Sequence, residues 1–348
     1  MSIIEYKAAC RRLQVANRKS LIANRKFRRA TCDVRRVTCY LLLVTCFGCS
    51  SKPYYRETRL MMGTIVEVTA QDKSAINAAF EELKKIDRIA NNFDPGSELS
   101  QLNAQGGLKV SQDLFTLVKE SLKYYNLSGG AFDITVCPIL DIWKKRIRDS
   151  DDGRQDLALP SDEEIRDKLR LVGSDKIFIN APESRVKFSQ PGMSLDLGAI
   201  AKGYAVDKAA GRLKELGITS AMINAGGNIY CLGKKGRRKW HIGIQHPRNP
   251  ERIIFYLDLE DRAAATSGDY QQYFISGKKR YSHILDPKTG RPVDNGLASV
   301  TIIAKSATTA DALSTTVFVL GKEKGSELLK RMPGIEARII KEKDVSNN

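Results

Sequence analysis

Long apolar runs are missing: no stretch of about 20 apolar residues occurs in the 348-residue chain, which excludes a polytopic membrane protein. Cysteine is scarce where it would matter. Five of the seven (Cys10, Cys32, Cys39, Cys46 and Cys49) crowd the front, leaving Cys137 and Cys231 in the body. With no CxxC and no Cys/His ligand spacing, a structural zinc site is excluded, and the body has room for one disulfide at most. No GxGxxG opens a helix after a strand, so a Rossmann dinucleotide site lacks its signature. The 26 glycines and 11 prolines follow no period, which excludes a collagen-like chain. With 42% hydrophobic and 28% charged residues, the composition is that of a globular protein with a sizeable core.

Acidic residues are also in short supply, giving a net charge of +17. The excess is lopsided. Eleven Lys/Arg against Glu5 and Asp33 place +9 ahead of Cys49, leaving +8 for the remaining 300 residues. No basic-aromatic signature of nucleic-acid binding follows, so the body reads as a moderately basic protein without a nucleic-acid partner.

Residues 1–48 read as an address, not a domain. Arg35-Arg36 precede the apolar run from Val37 to Gly48, and Cys49-Ser50 follow. A basic region, a short apolar core and a small residue before a cysteine are the features of a bacterial lipoprotein signal, with Cys49 as the lipidated residue. As a helix the run reaches only about 18 Å, too short to span a bilayer. Cys46 stands where Leu or Val is more usual, and a buried strand is the plainer alternative. Residues 1–33 are long for such a signal; initiation at Val34 or Val37 would make it compact. These features place the protein on the exported, periplasmic side of a bacterial membrane, held by a lipid anchor. Residues 49–58 then read as a linker, 59–341 as the folded domain and 342–348 as a polar tail.

The body alternates strands and helices. Gly63–Ala70 reads as a strand; Ser74–Asn91 carries a helical apolar stripe. Gln112–Leu127 is a second helix stopped by Gly129, and Ser161–Glu164 is a capping box. Ile177–Ile179 and Val186–Phe188 form a hairpin, and Asp196–Leu216 is a loop running into a helix. Strands dominate from Ala221 to Ala304: AMINA, NIYCLG, HIGIQH, IIFYLDL, a hairpin around Gly277, and ASVTIIA. Thr309–Leu320 is a helix closed by Gly321, followed by a short helix and a last strand, Glu336–Ile340. Hairpins interspersed with helices predict an α+β fold with antiparallel-rich sheets and packed helices.

Four segments bear chemistry. In Ser194–Tyr204, Asp196 sits in a loop before a small-residue helical turn, where a ligand can approach the backbone; an ordinary capping Asp explains it equally well. On the helix of Thr308–Thr315, Asp311, Ser314 and Thr315 share one face at i, i+3 and i+4. A carboxylate with hydroxyls and no Cys or His nearby suits Mg²⁺, although Asp and Thr in a first turn are also common caps. His283, one of three histidines, ends a strand before the Asp-Pro-Lys-Thr-Gly turn, where a base is possible and a packed residue is the rule. In GGAFDITV, a Gly pair precedes Asp133, expected to be exposed on a strand.

Together with Met62-Gly-Thr64, FDPGSELSQLN from Phe93 and Asn224–Asn228, these segments run in the order of the ApbE family, the FAD:protein FMN transferases. The chain resembles that family over residues 57 to 341. The resemblance implies a T-fold-like architecture and FAD held at Met62, Phe93, Ala131, Phe132, Asp133, Asp196, Lys202 and Ile284. It implies Mg²⁺ at the backbone oxygen of Ala199 and the side chains of Asp311, Ser314 and Thr315. Some family members carry a second Asp where Ser314 stands, so this site would lean more on Asp311.

The implied reaction is Mg²⁺-dependent transfer of FMN from FAD to a Thr or Ser hydroxyl of an acceptor protein, releasing AMP. His283, the only histidine inside a family motif, is the candidate base, since an ordinary imidazole is largely neutral at pH 7. The implied acceptor is a flavoprotein subunit such as that of an ion-translocating NADH:quinone oxidoreductase. Two alternatives share these residues: FAD hydrolysis to FMN and AMP, and an exported flavin-binding lipoprotein without turnover, for which a base and a metal would be superfluous.

Overall fold

The computed structural model describes residues 53–143, 159–271, 273–276 and 279–345. The basic arm, the signal segment with Cys49 and the Gly277 hairpin tip lie outside the described residues.

The central element is a seven-stranded antiparallel sheet in the order β1-β2-β6-β7-β10-β15-β16. Its strands are β1 (Tyr55–Met61), β2 (Thr64–Ala70), β6 (Ala221–Ala225), β7 (Asn228–Leu232), β10 (Arg262–Gly268), β15 (Leu297–Ala304) and β16 (Glu336–Lys341), while β3 (Gly107–Lys109), β4 (Ile177–Asn180), β5 (Arg185–Phe188), β11 (Tyr273–Ser276), β13 (Leu285–Asp286) and β14 (Arg291–Pro292) belong to smaller sheets. Side chains alternate across a strand, so each face recruits its own cover. Val66, Val68, Ile223, Tyr230, Ala263, Ala265, Val300 and Ile302 meet the helices in the main core. Ile229, Cys231, Ala264 and Ile303 face the other way, under the ribbon of β8 (Trp240–Gln245) and β9 (Ile253–Leu259).

The helical layer comprises α1 (Lys73–Ala90), α2 (Glu98–Gln105), α3 (Gln112–Ser128), α5 (Ala201–Glu215) and α6 (Ala307–Lys330), with α4 (Asp162–Leu169) beside a smaller cluster around Trp143. The expected caps form: the Ser161/Glu164 capping box is reciprocal, and Gly129 ends α3 in the left-handed region. Gly321 breaks α6 at φ 77°, ψ 174°, where the stop was expected. The mixed helix and antiparallel-sheet class expected from the sequence is the class observed.

Two expectations need correction. Residues 55–58 are the first half of β1, not linker: an edge strand that alternates polar residues looks like a linker by composition. The chain also stays packed past residue 341, with Glu342 N–H on Gly296 O (2.9 Å) and Val345 buried. Central strand β10, RAAATSG, carries no alternating pattern because it is covered on both faces, Ala263 and Ala265 by the helices and Ala264 by the β8–β9 ribbon. Cys137 and Cys231 are both buried and free.

Candidate active site

Helices α5 and α6 meet at Gly203. A side chain there would put its Cβ 2.3 Å from Ala307 O and 2.7 Å from Asp311 Cβ, so only glycine permits the approach. Asp207, one turn along α5, clamps the start of α6: its carboxylate accepts from Ser306 Oγ (2.7 Å), Ala307 N (2.7 Å), and Thr308 N and Oγ1 (2.8 and 2.6 Å). This fixes Asp311 against the first turn of α5.

The contact has a backbone consequence. Gly203 N–H, which in an unbroken helical turn would reach Ala199 O, donates to Asp311 Oδ2 at 2.9 Å. Among the described residues no backbone N–H bonds Ala199 O. Burial pushes the Asp311 carboxyl above the usual carboxylate value; the Lys202 charge, Gly203 N–H and an Asn228 hydrogen bond oppose it. Thr315 Oγ1 lies 3.0 Å from Ser267 Oγ. The corner therefore offers a buried carboxylate, a carbonyl without a backbone partner and a hydroxyl, all oxygen. No group of three or more His, Cys, Asp or Glu suited to a metal occurs among the described residues. Such a set fits a hard cation completed by water and ligand oxygens, and is poor for zinc.

This corner opens on a cavity of about 320 Å³, whose wall includes twelve of the thirteen site residues expected within the folded domain. Met62 lies on the β1–β2 turn with φ 53°, its N–H held by Asp87 Oδ2 at 3.1 Å. Phe93, after α1, is 79% exposed at the rim. Ala131, Phe132 and Asp133 follow α3, with Phe132 N–H on Ser128 Oγ (2.9 Å). Asp196, Ala199 and Lys202 form the entry to α5, where Asp196 Oδ1 accepts from Gly198 N (2.8 Å) and Lys202 Nζ donates to Gly198 O (2.6 Å). His283 and Ile284 follow β12 (Lys279–Ser282), and Asp311 and Thr315 project from α6.

Two placements differ from expectation. Asp133 is buried, not exposed, and caps a 3₁₀ turn, Ile134–Val136, instead of standing on a strand. Its Oδ1 accepts from Thr135 N (2.8 Å), Thr135 Oγ1 (2.6 Å) and Ser174 Oγ (2.6 Å), and Oδ2 from Ser174 N (3.2 Å). The Ser314 hydroxyl sits behind the wall, donating to Asp311 O (2.9 Å) and lying 2.8 Å from Ser267 Oγ. Ser267, Asn228 and Gln271 line the cavity and were not expected there. Ser267 was hidden because its strand, β10, was; NAGGN places Asn228 beside a tight turn, a signal that could have singled it out.

The chain matches the ApbE family over residues 62–339. A Treponema pallidum protein named FAD:protein FMN transferase is 32% identical over 311 residues, covering 82% of this chain and 84% of its own. A protein of the same name from Vibrio cholerae is 35% identical over 248 residues, 70% of this chain and 72% of its own. Among solved structures, the ApbE protein of Thermotoga maritima superposes with a TM-score of 0.75 at 34% identity, covering 84% of this chain and 95% of that one. The flavinyl transferase ApbE of Pseudomonas stutzeri superposes at 0.71 with 31% identity, over 82% and 90%. The fold is thus shared along nearly the whole described chain, and this protein is a member of the ApbE family.

Proposed function

We propose that this chain transfers the FMN moiety of FAD to a Ser or Thr hydroxyl of an acceptor protein, with Mg²⁺ held at the α5–α6 corner. The observation that carries the proposal is that corner: Asp311, Ala199 O and Thr315 open on the same cavity as His283. Relatives matched over most of their length bear the name of this activity. Bound there, Mg²⁺ would neutralise charge on the FAD diphosphate.

The chain's own groups do the rest. Met62, Phe93, Ala131, Phe132 and Ile284 give the flavin and adenine apolar contact. Asp196 and Lys202 stand at the mouth of α5, where backbone N–H groups and a cation favour phosphate. Asp133 shapes the wall through its backbone, its carboxylate being consumed by Thr135 and Ser174. The acceptor oxygen attacks the phosphorus attached to riboflavin while the bond from that phosphorus to the AMP oxygen breaks. The hydroxyl proton passes to His283, and AMP departs with the bridging oxygen. Such transfer is mostly positioning and charge stabilisation, so a sparse residue set suffices.

The proposed setting is the periplasmic face of a membrane, with Cys49 lipidated and the acceptor an exported flavoprotein subunit, such as that of an ion-translocating NADH:quinone oxidoreductase. Replacing Cys49 by Ser would then abolish incorporation of a labelled lipid. The activity is tested by incubating the protein with FAD, Mg²⁺ and candidate acceptor domains, then reading covalent flavin fluorescence on a denaturing gel. AMP release with no labelled acceptor would make the protein a FAD hydrolase instead. His283→Ala is expected to lose transfer by roughly 10²–10⁴-fold while FAD binding persists, as for a positioned base. Intact transfer in that folded variant would remove His283 from the chemistry.

A further inference from the structure

The two edges of the central sheet are unlike. The β16 edge carries Arg338 and Lys341, and its ladder with β15 shifts register between Leu297 and Ser299. Charges and bulges of this kind discourage added strands. The β1 edge has neither bulge, proline nor lysine: seven residues pair with β2 in unbroken register from Tyr55↔Ala70 to Met61↔Thr64. Its arginines are engaged by this chain, Arg56 with Glu67, and Arg59 with Asn77 Oδ1 (2.6 Å) and the Phe80 ring (4.0 Å).

Turn geometry fixes which groups face outward. Met62 (φ 53°) and Gly63 (φ 67°) form a two-residue turn of the primed type, so Met61 and Thr64 are a hydrogen-bonded pair. Alternation along an antiparallel ladder makes Arg59/Val66 and Glu57/Val68 hydrogen-bonded pairs as well. The N–H and C=O groups of Arg56, Thr58 and Leu60 therefore point away from β2, along an edge that no strand covers among the described residues. Leu60 is 83% exposed and faces its cross-strand partner Ile65, itself 49% exposed. The strand ends at the Met62–Gly63 turn, which is part of the cavity wall.

We infer that β1 is the acceptor-docking edge: an extended Ser/Thr-bearing segment of the acceptor protein adds as an eighth strand along Arg56, Thr58 and Leu60. This rests on the proposed transfer reaction, which requires a protein hydroxyl to enter the cavity beside its mouth. Main-chain pairing supplies affinity, and an apolar acceptor side chain covers Leu60 and Ile65. Each residue beyond the Leu60 pair advances the segment by about 3.3 Å, so a hydroxyl two or three residues on reaches past the turn into the cavity.

Two experiments on the full chain test the assignment. In hydrogen exchange without acceptor, the amides of Arg56, Thr58 and Leu60 should exchange quickly while those of Glu57, Arg59 and Met61 are protected. Protection of the first three would mean that residues ahead of Pro53 already occupy the edge, which overturns the proposal. With the acceptor domain that the wild type labels, Leu60→Lys and Thr58→Pro should each raise the acceptor KM at least tenfold and leave FAD affinity unchanged. Thr58→Pro removes an outward N–H without touching the β1–β2 ladder, and Leu60→Lys guards the case in which the proline variant fails to fold. An unchanged acceptor KM in folded Leu60→Lys overturns the docking edge alone. A wild type that releases AMP and labels no acceptor overturns the transfer reaction itself, and the docking edge with it.

Discussion

Two carboxylates in the lining of one cavity, Asp133 and Asp311, are both buried, and burial raises the pKa of both. Their surroundings differ. Asp133 receives four hydrogen bonds, from the hydroxyls and N–H groups of Thr135 and Ser174. Asp311 receives Gly203 N–H and an Asn228 hydrogen bond, faces the Lys202 charge, and lies by the carbonyl of Ala199, which no backbone donor reaches. Burying a carboxylate is costly unless it is compensated. Where the chain provides the compensation, the carboxylate is scaffolding; where it leaves part of it undone beside a carbonyl without a backbone donor, a cation can complete it.

The sharpest way to break this contrast is Asp311→Ala. Transfer should be abolished, a loss of at least about 10³-fold, and excess Mg²⁺ should restore little, because only neutral oxygens and the substrate's phosphates would hold the ion. Stability without Mg²⁺ should change little, since removing a desolvated carboxylate offsets the loss of its bond to Gly203 N–H. Near-normal turnover at low Mg²⁺ would show that the ion sits elsewhere.

Gly203→Ala attacks the same corner without touching its oxygens. The new methyl group would drive α5 from Ala307 O and Asp311, an overpacking cost of roughly 1–3 kcal/mol. Expected outcomes are a lower melting temperature and a raised Mg²⁺ requirement, read as the Mg²⁺ concentration for half-maximal transfer. A variant with an unchanged Mg²⁺ requirement would show that the close approach serves packing alone.

The same contrast explains what was legible beforehand. Helix α1 was readable because its apolar residues recur at helical spacing, and the Ser161 cap because its partner Glu164 is three residues on. Strand β10 was not, because its pattern of small residues answers to the helices and the ribbon covering its two faces, a tertiary cause with no local trace. In the site, the family motifs gathered Met62, Asp196, His283 and Asp311 onto one cavity although they are far apart in the chain. What they could not convey was direction. Asp133 and Ser314 occur in the same motifs as cavity residues, yet both spend polar atoms within the chain, Asp133 on Thr135 and Ser174, Ser314 on Asp311 O and Ser267. Nor could sequence reveal that Gly203 N–H turns to Asp311 and leaves Ala199 O bare, because that depends on how closely α5 and α6 meet.

Asp133→Asn inverts the first prediction. The amide matches the carboxylate in shape but presents N–H groups to donors, so at least one of the four bonds becomes a donor–donor contact. The expected cost is about 1–3 kcal/mol of stability. Transfer by the folded variant should stay within tenfold of wild type, because the carboxylate's hydrogen bonds go to Thr135 and Ser174. A stable variant that fails to bind FAD would make the Asp133 carboxylate a ligand contact after all.

The smallest effect is a pH slope, and it sets Asp133 against a third buried carboxylate, Asp113 at the start of α3. Burial pushes the Asp113 carboxyl up, but hydrogen bonds from Lys85, Tyr204 and Lys208 outweigh it and hold it below the ordinary 3.8. The contacts are Lys85 Nζ at 2.7 Å, Tyr204 OH at 2.8 Å and Lys208 Nζ at 3.2 Å. For Asp133 burial wins, and its carboxyl lies above 3.8 despite Ser174 and Thr135. The signs are therefore opposite. Between its folded value and 3.8, Asp113 is charged in the native state and protonated in the unfolded one. Its contribution to stability is present above 3.8 and lost as pH falls through the lower folded value. Asp133 keeps its proton longer in the native state, so its contribution is full below 3.8 and lost as pH rises through the higher folded value. Unfolding midpoints measured from about pH 3 to about pH 6 should separate them. Asp113→Asn should flatten the rise of stability with pH on the acid side of 3.8, and Asp133→Asn should steepen it on the other side. Each slope changes by less than about one proton. Parallel pH profiles for the two variants would mean that Ser174 and Thr135 compensate Asp133 as fully as two lysines and a tyrosine compensate Asp113, and the contrast between scaffolding and ligand carboxylates would then rest on the Asp311 corner alone.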